Sequence, residues 1–222
     1  MKLITDDGTF ALPLYHGTSD FFVAMILKSG LGRCDIVKEW RLLDFIDELF
    51  KIKKALLAAG KLTAEADRTF FGVENARKQD VTTGGFNYRH GGIYVSAAYN
   101  DALRYCQNAK GSEVVTMIYN VLTVLPEGGR DICLRILANY KELEQAILTD
   151  HKPSVLVLRN IPVKFLKSET GGDAMESISM ASDFLDSLGP VDDVALQFCR
   201  FEVVSTIDPE LLEVEEVSRN EV

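Results

Sequence analysis

Paired cysteines, clustered histidines, long apolar runs and the common glycine-rich nucleotide motifs are all missing from this chain. Its four cysteines, Cys34, Cys106, Cys133 and Cys199, are scattered, and none belongs to a Cys-x-x-Cys pair. Zinc sites are built from closely spaced ligand pairs, and three histidines add little, so no metal is expected. The thiols are expected to be reduced and mostly buried, as in a reducing compartment. The longest apolar runs, such as Val155–Leu158, fall far short of the ~18–20 residues of a membrane span, so no membrane partner is expected. The opening Met-Lys-Leu-Ile-Thr-Asp-Asp has no apolar stretch of the secretory type. The expected compartment is therefore cytoplasmic: a bacterial cytosol, or a host cytosol if the chain is an effector exported by a specialised machine. Neither a phosphate-loop motif nor a Rossmann fingerprint is present, which argues against nucleotide binding by those routes. The Gly-x-Ser-x-Gly elbow of many hydrolases is missing too.

Basic residues are also in deficit. Lys and Arg number 24 against 33 Asp and Glu, a net charge of −9. Sequence-independent nucleic-acid binding depends on neutralising phosphates, so a nucleic-acid partner is disfavoured. What is present suits an ordinary folded domain: 47% hydrophobic and 26% charged residues over 222 positions, enough for one domain with a sizeable core.

Residues 10–15 read as a buried strand leading into a His16-Gly17-Thr18-Ser19 turn. A short helix from Phe21 to Ser29 follows, capped by Ser19 or Asp20 and stopped by Gly30 in a left-handed conformation. Apolar residues at helical spacing predict a helix over 35–59 and a second over about 63–78, the latter with Glu65 and Asp67 favouring its N-terminal dipole. Residues 81–92, with Gly84, Gly85, Gly91 and Gly92, read as a loop. The expected elements beyond it are a strand Ile93–Val95, a helix Asn100–Ala109, a β-rich strand Val114–Leu125, a helix over 131–148 and a strand Ser154–Leu158. A helix Asp173–Leu188, a strand over 194–205 and a final strand Leu211–Val217 complete the chain. Helices interrupt the first half and strands gather in the second, which predicts an α+β fold in a single domain, 1–222.

Two segments carry chemistry. In the first, His16 stands at a strand end before Gly17, whose missing Cβ allows close approach to its backbone. A neutral imidazole there can bond a hydroxyl, and the Gly17 amide a carboxamide. The second runs from Gly92-Ile93-Tyr94-Val95-Ser96 to Tyr105-Cys106. Its two tyrosines offer flat faces for a heterocycle, with a cation–π contribution toward a pyridinium. Taken without their neighbours, each of these residues is ordinarily structural: His16 a satisfied core histidine, Tyr94 and Tyr105 packing residues.

In this order the two segments, with Ile26 and Gly30-Leu31 behind the first, resemble the NAD-gripping halves of ADP-ribosyltransferases of the diphtheria-toxin-like and poly(ADP-ribose) polymerase-like type. The resemblance implies that His16, Gly17 and Thr18 grip NAD, His16 at the adenosine ribose, and that Tyr94 and Tyr105 sandwich nicotinamide. It implies a split antiparallel sheet; the long interval from His16 to Tyr94 departs from the family and reads as a helical insertion at about 35–80 between the motifs. A helix serine that often holds the carboxamide is Ala102 here, for which Ser96 is the candidate substitute. The family's third motif is an acid on a late strand, which assists cleavage of the glycosidic bond. Glu202 is the acid inside the candidate strand, and Gln197, of opposite parity, is its rival; a glutamine there permits transfer of a single unit. Glu202 is alternatively an edge-strand surface carboxylate. Arg89 and His90 in the glycine-rich loop are weaker candidates for phosphate contacts.

The implied activity is NAD-dependent transfer of one ADP-ribose to a macromolecular acceptor, protein rather than nucleic acid, with release of nicotinamide. A catalytically silent NAD or ADP-ribose binder or protein-interaction module is the alternative, and a nucleic-acid-directed transferase or RNA 2′-phosphotransferase a further one.

Overall fold

The computed structural model describes residues 2–78, 92–108, 110–188 and 193–217. Strand β1 (Leu14–Ser19) begins later and runs further than its apolar stretch suggests. It therefore contains His16-Gly17-Thr18, expected as a turn. The reason is its neighbour: every residue of β1 pairs with a residue of Pro153–Leu158, from Leu14 opposite Leu158 to Ser19 opposite Pro153. Helix α1 (Asp20–Ser29) follows directly and ends at Gly30, whose φ of 96° with ψ of 153° is a backbone only glycine adopts easily. That conformation hands Leu31 to an isolated bridge with Ile207.

The helix expected over 35–59 is two helices, α2 (Ile36–Glu39) and α3 (Leu42–Ala58), broken where Arg41 takes a left-handed φ of 56°. Such a φ costs roughly 1–2 kcal/mol in a non-glycine residue. The break accompanies the burial of Trp40, which stacks on Phe22 at 5.4 Å. Along α3, Leu42, Phe45, Ile46, Leu49, Ile52 and Leu56 form one buried stripe. Helix α4 (Ala64–Lys78) buries Phe70 and Val73 beside it. Strand β2 (Ile93–Ser96) and helix α5 (Tyr99–Asn108) come next.

The largest departure from expectation is α6 (Glu113–Val124), read from its β-branched residues as a strand. Its buried positions are Val114, Val115, Ile118, Val121 and Leu122, a helical spacing that packing imposes over local propensity. The single helix expected over 131–148 is likewise a pair, α7 (Glu127–Leu137) and α8 (Lys141–Leu148). Helix α4 packs on α6 and α3 on α7, so the region 35–80 does not stand alone. It shares one hydrophobic core with α6, α7 and α8.

The remaining elements belong to the sheet and its cover. They are β3 (Pro153–Leu158), β4 (Leu166–Ser168), α9 (Ala174–Leu188), α10 (Asp193–Leu196), β5 (Arg200–Val203) and β6 (Leu212–Glu216). The strand expected over 194–205 thus opens as a short helix. Among the described residues the fold is α+β, with a six-stranded antiparallel sheet in the order β4-β5-β2-β1-β3-β6. One face of the sheet buries Val95, Leu156 and Phe201 against α9 and α10. The other carries α5 over β1 and β3. No helix among the described residues is long and apolar enough to cross a membrane.

Candidate functional site

Strands β1 and β2 share a single register pair, Tyr15 opposite Ser96. Beyond it the ladder is replaced by a side chain: His16 Nδ1 lies 2.8 Å from the Tyr94 carbonyl oxygen. A carbonyl can only accept, so Nδ1 carries the proton and, in the neutral ring, Nε2 presents a lone pair. Burial holds the imidazole below its ordinary pKa, and the Tyr94 carbonyl opposes this only in part. The histidine is thus fixed in orientation and tautomer, and kept neutral.

Packing requires glycine at position 17. A Cβ built on it would stand 2.1 Å from the Ala102 carbonyl oxygen, so glycine lets α5 settle on β1. Ala102 itself is buried in that contact. The helix so seated brings Tyr105 toward Tyr94. Tyr105 keeps 41% of its accessible surface, yet burial of its phenol, and then the charge of Glu113, raise its pKa. The Glu113 backbone N–H donates to the phenol oxygen. This supplies one acceptor to the first turn of α6, whose N-cap Ser112 makes no side-chain cap.

Two adjoining cavities share His16, Gly92, Tyr94, Tyr105 and Glu113. The smaller, about 90 Å³, runs behind α1 past Thr18, Phe22, Ile26 and Leu31. The larger, about 740 Å³, opens between α5, α6 and the sheet and is also lined by Gly17, Ser96, Thr116, Met117 and Arg200. Its volume falls in the range of about 300–1,000 Å³ seen for small-molecule sites.

Several expected site residues are already engaged. Thr18 is buried and donates to the Gly111 carbonyl at 3.0 Å. Ser96 Oγ donates to Asp101 at 3.0 Å and accepts from the Ala98 N–H at 3.1 Å, so it can meet a ligand only as a further acceptor. Asp101 also receives Arg200 Nε at 2.9 Å and Arg104 at 2.7 Å. Burial resists the Asp101 charge, but Arg200, Ser96 and Arg104 outweigh it and hold the carboxyl below its usual range.

Glu202 pairs in register with Tyr94, which places both side chains on the cavity face of the sheet. It is 7% exposed and lines neither cavity described. Gln197 is an exposed turn residue between α10 and β5, off the strand on which it was expected. Arg89 and His90 lie outside the described residues. The wall contributed by α6, with Glu113, Thr116 and Met117, went unseen in the sequence because that segment reads as a strand. The polar residues Thr116, Asn120 and Thr123, at helical spacing, were the available signal.

Comparison with protein-family models, with curated proteins and with solved structures gives no match.

Proposed function

We propose that the chain is an NAD-dependent ADP-ribosyltransferase that passes a single ADP-ribose to a macromolecular acceptor, protein rather than nucleic acid, and releases nicotinamide. One observation carries this reading: His16, 78 positions before Tyr94 in the sequence, meets Tyr94 and Tyr105 at the junction of two cavities. The way β1 and β2 part after Tyr15 and Ser96, with the His16 ring in the gap, supports the finer expectation of a split-sheet core.

In this proposal the His16 Nε2 lone pair accepts from a ribose hydroxyl, which a protonated ring would not do. Tyr94 and Tyr105 stack on nicotinamide and gain from the pyridinium charge. The Gly17 backbone binds the carboxamide, with Ser96 able to accept from its NH₂. Glu202, beside Tyr94, supplies negative charge near the carbon at which positive charge develops as the glycosidic bond breaks. No residue of this scheme requires a metal.

The test is nicotinamide release by the purified chain supplied with NAD. Steady release that is lost in His16→Ala is expected. The burial of Glu202 away from both cavities favours a second reading, an NAD or ADP-ribose binder without turnover. A melting temperature raised by NAD, with no nicotinamide released, selects that reading instead.

A further inference from the structure

We propose that the outer side of α9 docks a basic amphipathic helix of a partner protein. Helix α9 covers the face of the sheet opposite α5, so this surface stands apart from both cavities and the inference does not rest on the transferase reading. Ala174, Ile178, Ala181 and Leu185 form the buried stripe of the helix. Met175, Met180 and Phe184 lie outside that stripe and keep close to half of their surface exposed.

This exposure is organised. Met180 and Phe184 stand one helical turn apart on the same flank. Phe184 stacks on Phe198 at 4.8 Å, the rings inclined by 23°, so α9 and the turn before β5 share one apolar shelf. Beside the shelf run Glu176 and Asp183, seven apart and both exposed. Single apolar side chains on a surface need no partner, whereas a continuous shelf edged by polar groups has the form of an interaction site. Methionine, flexible and polarisable, adapts to what packs on it.

Charge selects the occupant. From Ser168 to Cys199 the sequence has no Lys, Arg or His. Of the elements packed closely on α9, α10 holds no basic residue, and β4 holds Lys167, whose backbone bridges to Asp173 ahead of the helix. This face therefore repels a second copy of itself, nucleic acid and anionic lipid, and attracts Lys and Arg. A partner helix meets both features at once, with its apolar stripe on Met180, Phe184 and Phe198 and its basic flank on Glu176 and Asp183.

The full chain is titrated into a fluorescein-labelled peptide of Leu and Lys patterned as an amphipathic helix, and anisotropy is followed. A peptide of the same composition in scrambled order, and one with Glu in place of Lys, are run beside it. Saturable binding of the patterned Leu/Lys peptide alone is expected, weakening as salt is raised. The pair Met180→Ser and Phe184→Ser, and separately the pair Glu176→Lys and Asp183→Lys, should each weaken it at least tenfold while circular dichroism and melting persist. Asp131→Lys with Glu142→Lys, exposed positions of α7 and α8, changes the net charge equally and should weaken binding far less. Absence of binding, equal binding of the scrambled or Leu/Glu peptide, or undiminished binding in both α9 variants overturns the proposal. So does a dimer in sedimentation, or capture by phosphatidylcholine vesicles, that Met180→Ser with Phe184→Ser abolishes, because a second copy or a lipid surface then covers the shelf.

Discussion

Gly17 in β1 lies against the backbone of Ala102 in α5, with no room for a Cβ between them. This contact sets the position of Tyr105, one helical turn beyond Ala102, relative to His16, the residue before Gly17. Substituting Gly17→Ala should force α5 away from the sheet. Overpacking of this kind costs about 1–3 kcal/mol, to be read as a lowered urea midpoint with unchanged slope. NAD turnover should fall by more than the stability loss explains, because the two walls of the cavity move apart.

His16→Ala and Tyr94→Ala should each abolish nicotinamide release while circular dichroism and the melting transition persist. Full activity in both variants would show that the NAD site lies elsewhere. Tyr94→Phe keeps the ring and should retain most of the activity.

Tyr105 separates two roles. Tyr105→Phe removes the oxygen that accepts from the Glu113 N–H, a loss of about 0.5–1.5 kcal/mol, but leaves the stacking face. NAD affinity should therefore hold in Tyr105→Phe and fall in Tyr105→Ala, as titration calorimetry can measure.

Acidification should weaken the fold through His16. Its folded-state pKa lies below the ordinary value of 6.5, so above that value the ring is neutral in both states and contributes no penalty. As pH falls below about 6.5 the unfolded chain takes up the proton first. Stability is lost from there down through the depressed folded pKa. Denaturation at pH 7.5 and 5.5, compared with His16→Gln, should show a smaller pH effect in the variant.

The thiols should be slow to react. Burial pushes Cys133 and Cys199 up to about 12 and Cys106 to about 11; Cys34, buried in part and facing Glu39, also rises to about 12. Thiolates are the reactive form, so iodoacetamide at neutral pH should label the native chain far more slowly than the denatured one, by mass spectrometry.

Much of this arrangement was legible in the sequence where periodicity and local chemistry agree. The stripe along α3, the acidic start of α4 and the apolar run of β3 are local patterns, and each lies in an element of the expected type. Segment 113–124 failed because Val, Ile and Thr favour strands in isolation; that preference outweighs the helical spacing of Thr116, Asn120 and Thr123, and packing on α4 decides for the helix. The same holds within the site. His16, Tyr94 and Tyr105 could be singled out by their settings. The commitment of Ser96 to Asp101 depends on Arg200 arriving from β5, which no local pattern announces. Gln197 left its strand because the chain there turns out of α10 before β5 begins.

Strand β6 is one border of the sheet, and its sequence is Leu-Glu-Val-Glu-Glu, with Glu213, Glu215 and Glu216 exposed. At the other border stands β4, only three residues long. Unpaired strand borders invite further strands from other molecules, and charge or brevity blunts them. A second copy aligned along β6 would bring like charges together, so this sheet is built to stop growing at its own ends.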